Sequence, residues 1–142
     1  MTKLLLTISF CLLVFLSYGQ SKQYVSRDSL NNYCDKMMQT FQEGKFSKAV
    51  QMLQKNCVID SLAINNMDKT LNDQMVDILG AYKRIVAYEL LEDKQLKNSL
   101  ARRRYLMKFE NYFLIFDIVL YNNGQGWRIS NFNYKDDPKE LF

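Results

Sequence analysis

Histidine is absent from this chain. Its absence excludes Ser-His-Asp and Cys-His catalysis, together with every imidazole-ligated metal site. Proline occurs once and glycine five times, which is too little for a low-complexity linker and fits a folded chain. Cysteine is scarce too. Beyond Cys11, only Cys34 and Cys57 are present, too few for a structural zinc site of their own. Either they form one disulfide, as an oxidising compartment allows, or Cys34 is a buried free thiol on a helix face. No catalytic residue, metal or cofactor is assigned from the sequence. A large excess of one charge is also missing: 19 basic residues face 15 acidic ones, a net of +4. That balance is too weak to indicate nucleic acid or an anionic membrane as a partner.

Long apolar runs are limited to one. Leu4 to Leu16 follow the positive Lys3 and precede Ser17-Tyr18-Gly19, a small-x-small cleavage site. This is the layout of a secretory signal peptide, and the run falls short of the roughly 20 apolar residues that cross a bilayer. Cys11 follows Phe10 inside the run, without the small residue that precedes a lipidated cysteine. The expectation is a signal peptide over 1–19 and one exported domain over 20–142, periplasmic or extracellular, with no membrane span in the mature chain. Lys3 is the only charged residue in the leader, so the mature chain keeps 18 basic against 15 acidic residues, a net of +3.

The mature part divides into a helical half and a strand half. Asp28 or Ser29 caps a helix with Leu30, Tyr33, Met37 and Phe41 at helical spacing, ended by Gly44. Phe46, Ala49, Val50 and Leu53 give a second, so that 41–49 reads as the corner of an αα-hairpin. A third, capped by Asp60 or Ser61, carries Ile64, Leu71, Met75 and Ile78 and ends at Gly80. Strands rich in aromatic and β-branched residues are expected over 82–92, 99–109, 112–121 and 126–134. Short connections make them an antiparallel meander with helices on one face, an α+β design.

Turn positions set a trial register. It places Arg104 opposite Asp117, Asp93 opposite Asn98, Glu89 opposite Arg102, Asp117 beside Ser130 and Leu120 beside Trp127. The core face then carries Val86, Tyr88, Tyr105, Met107, Leu114, Phe116, Ile118, Leu120, Trp127 and Ile129. Arg102, Arg103 and Arg104 are not a basic patch, because neighbours on a strand point to opposite faces. Arg103 falls on the core face, where a charge must be paired or must line a wet cavity. Arg84, Tyr88, Arg103, Tyr105 and Trp127 are therefore the candidate site for a small anionic or amphipathic ligand. On the opposite face Phe113, Ile115, Phe132 and Tyr134 form an apolar cluster bordered by Arg104 and Asp117, a candidate homodimer contact. The rival cover for that cluster is the tail, 138–142.

Arg102-x-x-Tyr105-x-x-Lys108-Phe109, followed by Gly126-Trp127-x-Ile129-x-x-Phe132-x-Tyr134-x-Asp136-Asp137, resembles small secreted bacterial proteins of the NTF2-like (cystatin-like cone) superfamily. The resemblance is strongest over 80–142. It implies a curved sheet wrapped around helices, a pocket inside the cone and a dimer through the outer sheet face. Relatives that are enzymes act as isomerases, dehydratases or cyclases through Asp, His and Tyr. Two functional readings stand open: non-catalytic binding of a small ligand or protein partner at the cone, and acid/base catalysis by a carboxylate such as Asp117 with Tyr88 or Tyr105.

Overall fold

A computed structural model describes residues 23–24, 26–58 and 60–141. The expected signal peptide lies outside these residues. Three helices, α1 (Arg27–Gln42), α2 (Phe46–Asn56) and α3 (Ser61–Tyr82), precede four strands, β1 (Ile85–Leu96), β2 (Leu100–Phe109), β3 (Phe113–Asn122) and β4 (Trp127–Lys135). The strands form one antiparallel sheet in the order β1-β2-β3-β4. The expected α+β meander with helices on one face is therefore the architecture. No helix among the described residues is long and apolar enough to cross a membrane.

Local chemistry explains the helix ends. Ser26, not Asp28 or Ser29, caps α1, its Oγ accepting from the Ser29 amide at 3.2 Å. Gly44 follows the helix at φ +73°, a left-handed turn that glycine takes without steric penalty. Asp60 caps α3 by accepting from the Leu62 amide. That helix does not stop at Gly80. It runs on to Tyr82, whose ring meets Phe109 at 5.7 Å and Tyr112 at 4.8 Å, and Lys83 at φ 67° then turns the chain. The aromatic contacts anchor the last turn more strongly than a permissive glycine weakens it.

The sheet keeps the central register and departs from expectation at both edges. Arg104 pairs with Asp117 as expected. The β1–β2 hairpin runs four residues further than expected, to Leu96, and turns through three residues, so Asp93 pairs with Arg103 rather than Asn98. Glu89 meets Leu106, and Arg102 meets Lys94. Bulges at Val86 and Leu91 add one residue each to β1. Val86, expected in the core, sits at the first bulge and is 49% exposed. A third bulge, at Ser130, pairs Ile129 with Leu120 and Phe132 with Ile118, and sets Asp117 beside Asn133. Ile129 and Phe132 are three apart, yet both face the helices.

The core forms where α1 crosses the sheet. Leu30, Cys34, Met37, Met38 and Phe41 supply the helix side, while Tyr105, Met107, Phe116, Ile118, Leu120, Ile129 and Phe132 supply the sheet side. Phe41 stacks on Phe132 at 5.9 Å and leans on Phe116 at 5.3 Å. Backbone bridges from Tyr24 to Trp127 and from Cys57 to Ile129 cover the first part of the β4 edge.

Candidate functional site

Arg103, in the middle of β2, is 3% exposed and points between sheet and helices. Three groups take its guanidinium. Nη2 donates to Asp35 Oδ1 of α1, Nη1 to Asp93 Oδ2 of β1 and Nε to the Tyr105 hydroxyl, each at 2.7 Å. Tyr105 in turn donates its hydroxyl proton to Asp35 Oδ1 at 2.7 Å. Arg27, in the first turn of α1, completes the circuit with an ion pair to Asp93 and a hydrogen bond to Gln95. Two guanidinium groups and two carboxylates thus neutralise one another at the seam between α1, β1 and β2.

The electrostatics follow from this arrangement. Burial works against the Arg103 charge, but Tyr105 and Asp35 outweigh it and hold its pKa above the ordinary value. Burial and the Asp35 carboxylate raise the Tyr105 phenol, which stays neutral. Burial pushes the Cys34 thiol up to about 12, against the pull of Arg103. A thiol with so little thiolate is inert.

The sheet separates the five residues assigned to a ligand site. Tyr88, half-buried, lies with its ring 6.3 Å from that of Tyr105, which is beside Arg103. Arg84 is not on the core face at all. It precedes β1, is exposed, and pairs with Glu110. Trp127 is buried further along the sheet, its backbone bonded to Tyr24. Asp35, Asp93 and Arg27, which complete the network, are not among the candidates that the sequence suggests. Asp35 and Arg103 lie 68 positions apart in sequence, and no local pattern joins them.

The set assigned to the outer face also divides. Phe132 and Tyr134 face the helices: Phe132 rests on Phe41, and the Tyr134 hydroxyl reaches Gln74 of α3. The Ser130 bulge moves both of them inward. Phe113 and Ile115 remain on the outer face with Arg104 and Asp117. Ile115 is fully buried there, between Leu106 and Lys135, without joining the helix-side core. Arg104 grips Asp117 in a two-pronged bond of 2.7 and 3.1 Å. Glu92, opposite Arg104 in β1, takes Arg102 at 2.9 Å and Lys94 at 2.6 Å.

Cys34 and Cys57 both lie in the core as thiols. An open apolar groove of about 410 Å³ lies at the β1–β2 hairpin, lined by Lys94, Leu96, Leu100, Arg102 and Val119 among others. A second, more polar cavity of about 340 Å³ separates α2 from α3 around Gln51, Gln54, Asn65 and Asp68. No protein-family model, curated protein or solved structure matches this chain.

Proposed function

We propose that this chain is an exported, non-catalytic binding domain of the NTF2-like type, which holds a small ligand or a protein partner on its sheet. The observation that carries this reading is the mutual pairing of the charged groups under the helices. The groups suited to acid/base work under the helices, Asp35, Asp93 and Tyr105, are already bound to Arg103 and Arg27. A general base needs a lone pair aimed at substrate, with a pKa matched to its task. Here the carboxylates are engaged by guanidinium groups and the phenol is held protonated. Asp117, the other carboxylate considered for catalysis, is bound by both prongs of Arg104. Open apolar surface lies instead on the outer side of the sheet, where the groove at the hairpin is accessible.

One observation favours the catalytic alternative. The Asp35 carboxylate within 2.7 Å of the Tyr105 hydroxyl is the carboxylate–tyrosine pairing that an isomerase or dehydratase site uses. Neither the hairpin groove nor the cavity between α2 and α3 is lined by that pair.

Native mass spectrometry of the protein purified from its own host tests the proposal. A retained small molecule or protein partner, released unchanged on denaturation, is the expected result. Turnover of a retained molecule that Asp35→Asn and Tyr105→Phe both abolish would replace binding with catalysis.

A further inference from the structure

We propose that the cavity between α2 and α3 binds a free α-amino acid as its zwitterion, a site independent of any ligand on the sheet. The two helices run antiparallel: the Asn72 side chain donates to Ser47 Oγ at 3.0 Å, and at the other end Lys55 shares the cavity with Ile64. On α2, Gln51, Gln54 and Lys55 stand at i, i+3 and i+4; on α3, Asn65 and Asp68 stand at i and i+3. Those spacings put each set on one helix face. The two faces wall a cavity of about 340 Å³, within the size range of small-molecule sites. Val50 and Ile64, each 1% exposed, form its floor.

The walls carry both signs of charge and hold them apart. Lys55 is in the last turn of α2. Asp68 lies level with Gln51, one turn earlier, as Asn72 lies level with Ser47. The offset between the two charges is four residues, roughly 6 Å along the helix axis. Among the described residues Lys55 has no ion pair, and Gln51, Gln54 and Asn65 have no side-chain hydrogen bond. Asp68 accepts from Asn72 at Oδ1, at 2.7 Å, which leaves Oδ2 for a ligand. An α-amino acid reaches across that offset with its ammonium group at Asp68 and its carboxylate at Lys55, a charge-assisted hydrogen bond at each end. Three primary amides, each both donor and acceptor, remain for a polar side chain. A cation alone would leave Lys55 unmatched, and an anion alone would leave Asp68 unmatched. An apolar molecule would match neither.

L-Glutamine is the probe, because its side-chain amide complements the three in the walls. N-acetyl-L-glutamine, which lacks the cation, and L-glutaminamide, which lacks the carboxylate, are the comparison arms. Each is titrated into the full chain, isotope-labelled, and followed by amide chemical shifts. L-Glutamine should bind with a Kd of about 0.1–5 mM, the range open to a ligand of about ten non-hydrogen atoms. It should move the amides of Gln51, Gln54, Asn65 and Asp68 and leave those of the hairpin groove still. Both arms should bind at least about tenfold more weakly. Lys55→Met and Asp68→Asn should each weaken L-glutamine about tenfold or more, with unchanged circular dichroism. Absence of binding, equal binding of either arm, or binding that either variant leaves intact would overturn the site. Each of these results leaves the binding reading of the sheet where it stands.

Discussion

Three consecutive arginines in β2 have three different roles, set by which way each side chain points and what it meets. Arg102 is 42% exposed and shares Glu92 with Lys94; Arg103 is sealed against α1; Arg104 is sealed on the outer face by Asp117. Removing Arg103 would leave a cavity against α1 and take one partner each from the Tyr105 hydroxyl, Asp35 and Asp93. Arg103→Ala should therefore destabilise by about 1–3 kcal/mol in urea unfolding, less than for a fully buried pair because Asp35 and Asp93 reach water. Arg102→Ala should cost less than about 1 kcal/mol, as exposed pairs do. Equal effects would mean that Arg103 is no more buried than its neighbour. Cys34 adds a pH dependence. The unfolded thiol loses its proton from about 9.0, whereas the buried one holds it to about 12. Between these values the unfolded state binds fewer protons, so stability is fully present below pH 9 and falls as pH rises. Cys34→Ala should flatten that decline in alkaline urea titrations. Both thiols should resist alkylation in the native protein and react once it is denatured without reductant.

Helix stripes and strand alternation can be read along the chain because each is a local period. Leu30, Phe41, Val50, Leu53, Ile64, Leu71 and Met75 are all buried as that period requires, or nearly so. The central register can be read as well, since Arg104 and Asp117 are complementary charges directly opposite one another. The bulges cannot. Val86, Leu91 and Ser130 are ordinary strand residues, and each inserts one position that reverses the facing of the rest of its strand. That single slip explains why Phe132 and Tyr134, expected at a dimer contact, instead face the helices. The Asp35–Arg103 bond is invisible in the sequence for a different reason: it joins a helix to a strand across most of the domain, and no spacing rule reaches that far. Phe132→Asp, which an outer-face contact would tolerate in the folded monomer, should instead abolish the cooperative fold, and Phe132→Ala should cost about 3–5 kcal/mol. A folded, monomeric Phe132→Asp would return Phe132 to the surface and shift β4 by one residue.

On the scale of the whole molecule, the fold divides its labour between two sides of one sheet. The side under the helices is filled by aromatic rings and locked by balanced charges, which stabilises the seam between α1 and the β1–β2 hairpin. The outer side keeps more cations than its carboxylates neutralise, together with apolar side chains at the hairpin end, as a contact surface does. Binding should therefore leave the interior undisturbed. Amide chemical shifts in a two-dimensional nitrogen–proton NMR titration with the molecule retained from the native host measure this directly. Shifts confined to the residues around the hairpin groove, Lys94, Leu96, Leu100, Arg102 and Val119, with Asp35, Arg103 and Tyr105 unmoved, are the predicted result. Shifts centred on Asp35, Arg103 and Tyr105, with the groove silent, would contradict the division and place the ligand under the helices.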